Sequence, residues 1–216
     1  MTVVNRGALA AVAAGAAALA VAAVVAVVSR PAGNVGTEQA AALASPTPSV
    51  TGPAVAVVPG ALPGNAEPVR PVRLRIPSIG VTARVDPVGV DERTKEFDVP
   101  PSVDQIGWYR YGPGLETESG SVVIAGHVDS AEQGRGAFYR LRELAPGDTV
   151  TATGDDGTER TYRVVAREEY DKTKIPLERY FARDGRPRLT LITCGGPFDA
   201  DARRYRDNIV VTASPV

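Results

Sequence analysis

The 216-residue chain holds one Cys, one His, one Trp and one Met. A single Cys excludes an intramolecular disulfide, so no disulfide framework holds this fold. One Cys and one His also fall short of the four or so ligands of a structural zinc site. Aromatics make up only 6% of the chain, and none occurs before Phe97. The first 70 residues carry only five charged side chains, Arg6, Arg30, Glu38, Glu67 and Arg70. A chain that folds throughout spreads its large apolar and charged residues along its length. This one therefore divides into an N-terminal part of about 70 residues and a folded part of about 145. The net charge is −1 and no long Lys/Arg run occurs, which argues against nucleic acid as a partner.

The N-terminal part, residues 1–30, contains an unbroken apolar run from Ala8 to Val28, flanked by Arg6 and by Ser29-Arg30. About 20 such residues span a bilayer as a helix. The expectation is a single-pass anchor over about 8–28, with the rest of the chain outside the cell membrane. A cleaved signal peptide is the other reading, with Ala20-Val21-Ala22 as a small-residue cleavage site. Residues 31–70 hold seven Pro and five Gly, and show neither helical nor alternating periodicity. They read as a disordered, Pro/Ala-rich linker or stalk.

From residue 71 the pattern changes to short alternating or apolar runs separated by Gly, Pro and Asp. Val72–Ile76, Gly80–Val85, Ser121–Ala125, Asp148–Thr153, Arg160–Val165, Arg188–Thr193 and Asn208–Thr212 all read as strands. Seven or eight short strands with turn signals between them predict an all-β barrel or sandwich over 71–216. Short helices are expected within Ala137–Leu144 and Pro176–Phe181. Asp129 to Gly136, with two Gly and three charges, reads as a flexible loop.

Two strands end on chemistry. Val122–Gly126 stops at His127, the only His; Leu189–Thr193 stops at Cys194, the only Cys, followed by Gly195-Gly196. Taken alone, a lone Cys is most often a small buried hydrophobe, and a lone His a hydrogen-bonded structural residue. Taken together they match the needs of a thiolate nucleophile, which requires a nearby imidazole or other positive group. Arg203-Arg204-Tyr205-Arg206 precedes the last strand. On charge pattern alone it is a solvated cluster offset by Asp199, Asp201 and Asp207. Beside a nucleophile, a guanidinium could hold a carbonyl or an oxyanion. Glu116, Glu118, Asp129 and Glu132 are acidic, but their spacing matches no calcium loop.

Several ordered motifs resemble the sortases, membrane-anchored cysteine transpeptidases of Gram-positive bacteria. They are Leu74-Arg75-Ile76-Pro77-Ser78-Ile79-Gly80-Val81, Ala125-Gly126-His127-Val128-Asp129, Leu189 to Gly196 around the Cys, and an Arg before the final strand. Thr193 to Asp199 and Tyr205-Arg206-Asp207-Asn208 look most like the actinobacterial class F group. The resemblance covers roughly residues 72–214 and implies a closed eight-stranded β-barrel with short helices. It implies Cys194 as nucleophile and His127 as general acid/base. The catalytic Arg it implies is Arg206 by proximity to the last strand, with Arg204 and Arg203 as alternatives.

The implied reaction is acyl transfer. Cys194 attacks the Thr carbonyl of an LPXTG-like signal near the C-terminus of a secreted protein and forms a thioester. An amine from a peptidoglycan precursor or a pilin Lys then resolves it. No metal or organic cofactor is needed. Two alternatives come from other classes. An L,D-transpeptidase normally has Ser-His-Gly before its Cys, where this chain has Leu191-Ile192-Thr193. A non-catalytic extracellular β-module would bury an unreactive thiol.

Overall fold

The computed structural model describes residues 33–46, 67–91, 93 and 97–216. The apolar run 8–28, its Ala20–Ala22 cleavage site and most of the 31–70 stretch lie outside the described residues. No helix among the described residues is long and apolar enough to cross a membrane.

Helix α1 (Thr37–Ala44) comes first. Strands β1 (Pro71–Ile76), β2 (Val81–Val88), β3 (Gln105–Tyr109) and β4 (Ser121–Gly126) follow. A short hairpin of β5 (Asp129–Ser130) and β6 (Gly134–Arg135) stands after His127. Then come β7 (Thr149–Gly154), β8 (Glu159–Asp171), helix α2 (Leu177–Tyr180), β9 (Arg188–Asp199) and β10 (Arg204–Pro215). Eight of the strands close into a barrel in the order β1-β2-β3-β4-β9-β10-β8-β7. Closure pairs most of the strand edges, which are the main liability of a β protein.

Period-two alternation sets the interior. Leu74 and Ile76 of β1 are 0% exposed, while Arg73 and Arg75 between them face water. Val81, Ala83 and Val85 of β2 and Val122 and Ile124 of β4 join the same core. So do Leu189 and Leu191 of β9 and Ile209, Val211 and Ala213 of β10. Each large aliphatic side chain buried this way contributes roughly 1.5–3 kcal/mol. Trp108 of β3 is also buried, and its indole N–H donates to the Pro113 carbonyl at 3.1 Å.

Three differences from the sequence expectation have physical causes. First, β3 carries Gly107 and Trp108 within only five residues, too short a run to read as a strand. Gly107 is there because a side chain at that position would collide with Val88, 2.6 Å away. Second, Asp129 to Gly136 is a hydrogen-bonded hairpin rather than a flexible loop. Ser130 Oγ accepts from the Glu132 and Gln133 amides, and Gln133 Nε2 donates to the Pro101 carbonyl at 3.0 Å.

Third, part of the 31–70 stretch folds onto the barrel. Strand β8 is 13 residues long, but β7 pairs only with Glu159 to Arg163. Val35 takes up the open edge beyond, exchanging 2.9 Å backbone hydrogen bonds with Arg167 in both directions. Asn34 Oδ1 accepts from the Glu169 amide at 2.8 Å. Gly36 then turns the chain at φ 75°, where an added Cβ would stand 2.0 Å from the Val165 carbonyl oxygen. Helix α1 follows, with Ala40 and Leu43 buried. Its C-terminal end is held by Arg188, which is 1% exposed and donates to the carbonyls of Leu43, Arg179, Asp184 and Arg186.

Candidate active site

Strand register brings the scarce residues together. Strands β4 and β9 are parallel neighbours, with Ala125 opposite Ile192. Two residues further on stand His127 and Cys194. The neighbouring Val122, Ile124, Leu189 and Leu191 point into the core, so His127 and Cys194 share the outer face at the barrel rim. The two strand ends are tied by Thr193 Oγ1, which donates to the Gly126 carbonyl at 2.8 Å.

The row continues across the next ladders. Cys194 pairs with Asn208 of β10, and Asn208 pairs with Tyr170 of β8. Both pairings are antiparallel, so these side chains lie on the face that carries Cys194. Beyond Cys194 the β9–β10 ladder slips by one residue and resumes at Phe198–Tyr205 and Asp199–Arg204. Gly196, at φ 71°, permits that slip; a Cβ there would overlap the Asp207 carboxylate. Both strands therefore run well past the Thr193 and Asn208 limits read from the sequence.

Each of the two catalytic candidates has its own partner, and they are not hydrogen-bonded to each other. His127 Nε2 lies 2.9 Å from the Pro100 carbonyl oxygen. A carbonyl can only accept, so Nε2 is the donor in this contact. The half-buried Cys194 thiol has the Lys172 ammonium Nζ 3.4 Å from Sγ. Lys172 is fixed from behind, because its amide donates to the Arg206 carbonyl at 3.0 Å.

None of the three Arg candidates hydrogen-bonds to the thiol, whose partner is Lys172. Arg206 is on β10 with its side chain 64% exposed, and its Nη2 is 3.5 Å from Asp199 Oδ2. Arg204, the first residue of β10, is exposed and pairs in register with Asp199. Arg203 precedes the strand, exposed, with φ 51°. The amides of Ala202 and Asp201 and the Arg206 guanidinium hold the Asp199 carboxyl below the usual carboxylate range, the Ala202 amide most strongly.

Two further contacts frame the site. Tyr205 donates to Asp129 Oδ2 at 2.6 Å, and its ring packs edge-on against Phe198. The hydrogen bond to Asp129, then burial, pushes the Tyr205 hydroxyl up to about 12. Two residues before Tyr170 on the same face of β8, Glu168 is 1% exposed and accepts from the hydroxyls of Tyr170 and Tyr180, each at 2.8 Å. Arg179 pairs with the same carboxylate at 3.2 Å. Burial pushes both tyrosine hydroxyls up, so they stay protonated donors across the neutral range. This cluster links β8 to α2 beneath the site.

Sequence reasoning singled out His127, Cys194 and the Arg group but missed Lys172. The signal was hidden because β8 reads as ending near Val165, whereas its ladder with β10 runs on to Asp171. Among the described residues, no three His, Cys, Asp or Glu side chains gather as a metal site, Glu116, Glu118, Asp129 and Glu132 included.

The sortase domain model matches residues 74–216. Among solved structures, the chain is similar to sortase C-1 from Actinomyces oris, at 23% identity and TM-score 0.51, covering 67% of this chain and 72% of that one. It is similar to a lid mutant of sortase A from Corynebacterium diphtheriae, at 22% identity and TM-score 0.51, covering 68% and 71%. It is also similar to the Group B Streptococcus pilus island 1 sortase C2, at 19% identity and TM-score 0.50, covering 67% and 72%. No curated protein matches the chain. Structural likeness at such identities speaks for the barrel alone, whereas the family match spans the barrel together with His127, Cys194 and the Arg cluster. The chain belongs to the sortase family.

Proposed function

We propose that this sortase is a class F-like transpeptidase acting on an LPXTG-like signal near the C-terminus of secreted proteins. The observation that carries the reading is the parallel register of β4 and β9, whose last pair, Ala125 with Ile192, stands two residues before His127 and Cys194. It brings the only His and the only Cys to neighbouring backbone positions, with Lys172 against the sulfur.

The Cys194 thiolate attacks the Thr carbonyl of the signal. The C–N bond to the following Gly breaks, and His127 delivers the proton to the leaving amine. An amine from a peptidoglycan precursor or a pilin Lys then attacks the thioester, loses a proton to His127, and releases the thiolate. Arg206 is the oxyanion partner in this scheme. It reaches the substrate by leaving Asp199, an exposed pair of the weak kind. Residues 8–28 hold the enzyme in the cell membrane with the barrel outside; a cleaved, secreted form is the alternative.

The test is peptide cleavage. The full chain in detergent should cleave a fluorogenic LPXTG-type peptide, and an added amine should appear in an amide product. Cys194→Ala should lose both. Undiminished turnover by Cys194→Ala sinks the scheme.

A further inference from the structure

We infer that Lys172 is the cationic partner of the Cys194 thiolate, a role separate from that of His127 and of the Arg cluster. Three observations meet here. Nζ stands 3.4 Å from Sγ, within reach of a charge-assisted N–H···S contact. The Lys172 backbone is pinned to Arg206 at the end of the β8–β10 ladder, so the side chain starts from a fixed point. No other cationic side chain among the described residues bonds to the thiol. The Arg206 guanidinium is turned to Asp199, and His127 Nε2 to Pro100.

The chemistry follows from proximity. An ammonium beside a sulfur favours S⁻ over S–H, because the ion pair is attractive only when the thiol is deprotonated. An ammonium has no acceptor site for the thiol proton, which leaves to water or to His127. Acylation removes the negative charge from sulfur and weakens the contact. Lys172 thus stabilises the free enzyme's nucleophile and loses its hold on the sulfur once the thioester forms.

The surrounding charges do not supply a substitute. The nearest acids are engaged elsewhere: Asp171 with the Thr173 hydroxyl and amide, Asp129 with Tyr205, and Asp199 with its turn and Arg206. Asp207 pairs in register with Gly195 beside the thiol, and its negative charge opposes thiolate formation. Tyr170 is shifted upward by burial and Tyr205 by its hydrogen bond to Asp129, so both stay neutral across the neutral range. His127 is the remaining titratable group, and its contribution is read separately.

This role rests on Cys194 being the nucleophile, but its test needs no peptide. With a single Cys in the chain, iodoacetamide alkylation followed by intact mass reports on Sγ alone. The full chain in detergent is compared with Lys172→Gln, Lys172→Met, Lys172→Arg and, as a nearby control, Lys174→Gln, between pH 5 and pH 10. Both neutral variants at 172 should alkylate about three- to tenfold more slowly at pH 7, with the pH profile displaced upward by about one unit. Lys172→Arg should recover most of the rate, and Lys174→Gln should match the parent. A His127→Gln background should keep the Lys172 effect. Identical profiles for the parent and both neutral variants overturn the inference. A Lys172-dependent thiol in a protein that cleaves no sorting peptide supports it and removes only the substrate assignment.

Discussion

The Tyr205 hydroxyl donates to the Asp129 carboxylate across 76 residues of sequence, joining the end of β10 to the hairpin that follows His127. The contact spans the rim row from the Arg side to the His side. Tyr205→Phe removes it without changing ring packing on Phe198. Peptide cleavage should fall about three- to tenfold, with stability reduced by about 1 kcal/mol. Chemical denaturation and kcat/KM together check this. The pH dependence has a definite sign. The folded-state value is raised above the unfolded one, so the contact's contribution is complete below about pH 10 and disappears as pH passes about 12. A phenolate absorbance titration of Tyr205→Phe against the parent should lack one group ionising near 12.

Cys194→Ala and His127→Gln separate the proposed roles. The first should leave no covalent peptide adduct by mass spectrometry. The second should keep the thiol but lower transpeptidation by at least about 100-fold, the usual scale of lost acid–base catalysis. A His127→Gln enzyme that transfers at the parent rate contradicts the assignment.

Among the three Arg candidates, Arg206→Lys should cost the most activity, because a single ammonium cannot reproduce the planar fork of donors. Arg204→Lys and Arg203→Lys should stay within about threefold of the parent, since neither holds a contact that a charge alone fails to replace. A larger loss from Arg204→Lys reassigns the oxyanion partner.

Glu168 is the buried charge most exposed to mutational damage. Glu168→Ala leaves the Arg179 guanidinium and two tyrosine hydroxyls without their acceptor. The expected cost is about 3–5 kcal/mol, read as a lower midpoint in urea unfolding.

Helix α1 offers a gentler perturbation. Leu43→Ala, at a side chain 7% exposed, should cost about 2–3 kcal/mol in urea unfolding. Gly36→Ala should detach the segment, because the turn at φ 75° leaves no room for Cβ. Amide exchange at Arg167, bonded to Val35, should then speed up.

Most of the barrel was legible because its strands alternate cleanly, as in Leu74 and Ile76 against Arg73 and Arg75. Cys194 and His127 were legible because each is unique. The family likeness supplied the closed eight-stranded barrel, which alternation alone does not. What stayed hidden depended on register. Gly195-Gly196-Pro197 has the composition of a turn, yet the ladder slips by one residue there and continues. Lys172 looks like any charged residue until β8 is extended alongside β10. Helix α1 was masked by the Pro-rich sequence around it, and only Ala40 and Leu43 mark its buried face.

The docking of Val35 and α1 also moves the first residue held by the barrel from Pro71 back to Asn34. Were the whole 31–70 stretch a stalk, the 43 residues from Val28 to Pro71 could stretch to about 150 Å. With Asn34 fastened to β8, only five residues, 29–33, separate the proposed membrane run from the barrel in sequence, a leash of about 20 Å at full extension. Residues 45–70 then both leave from and return to the same body, and add nothing to its reach. Under the proposed anchoring by residues 8–28, an enzyme held this short works near the bilayer surface.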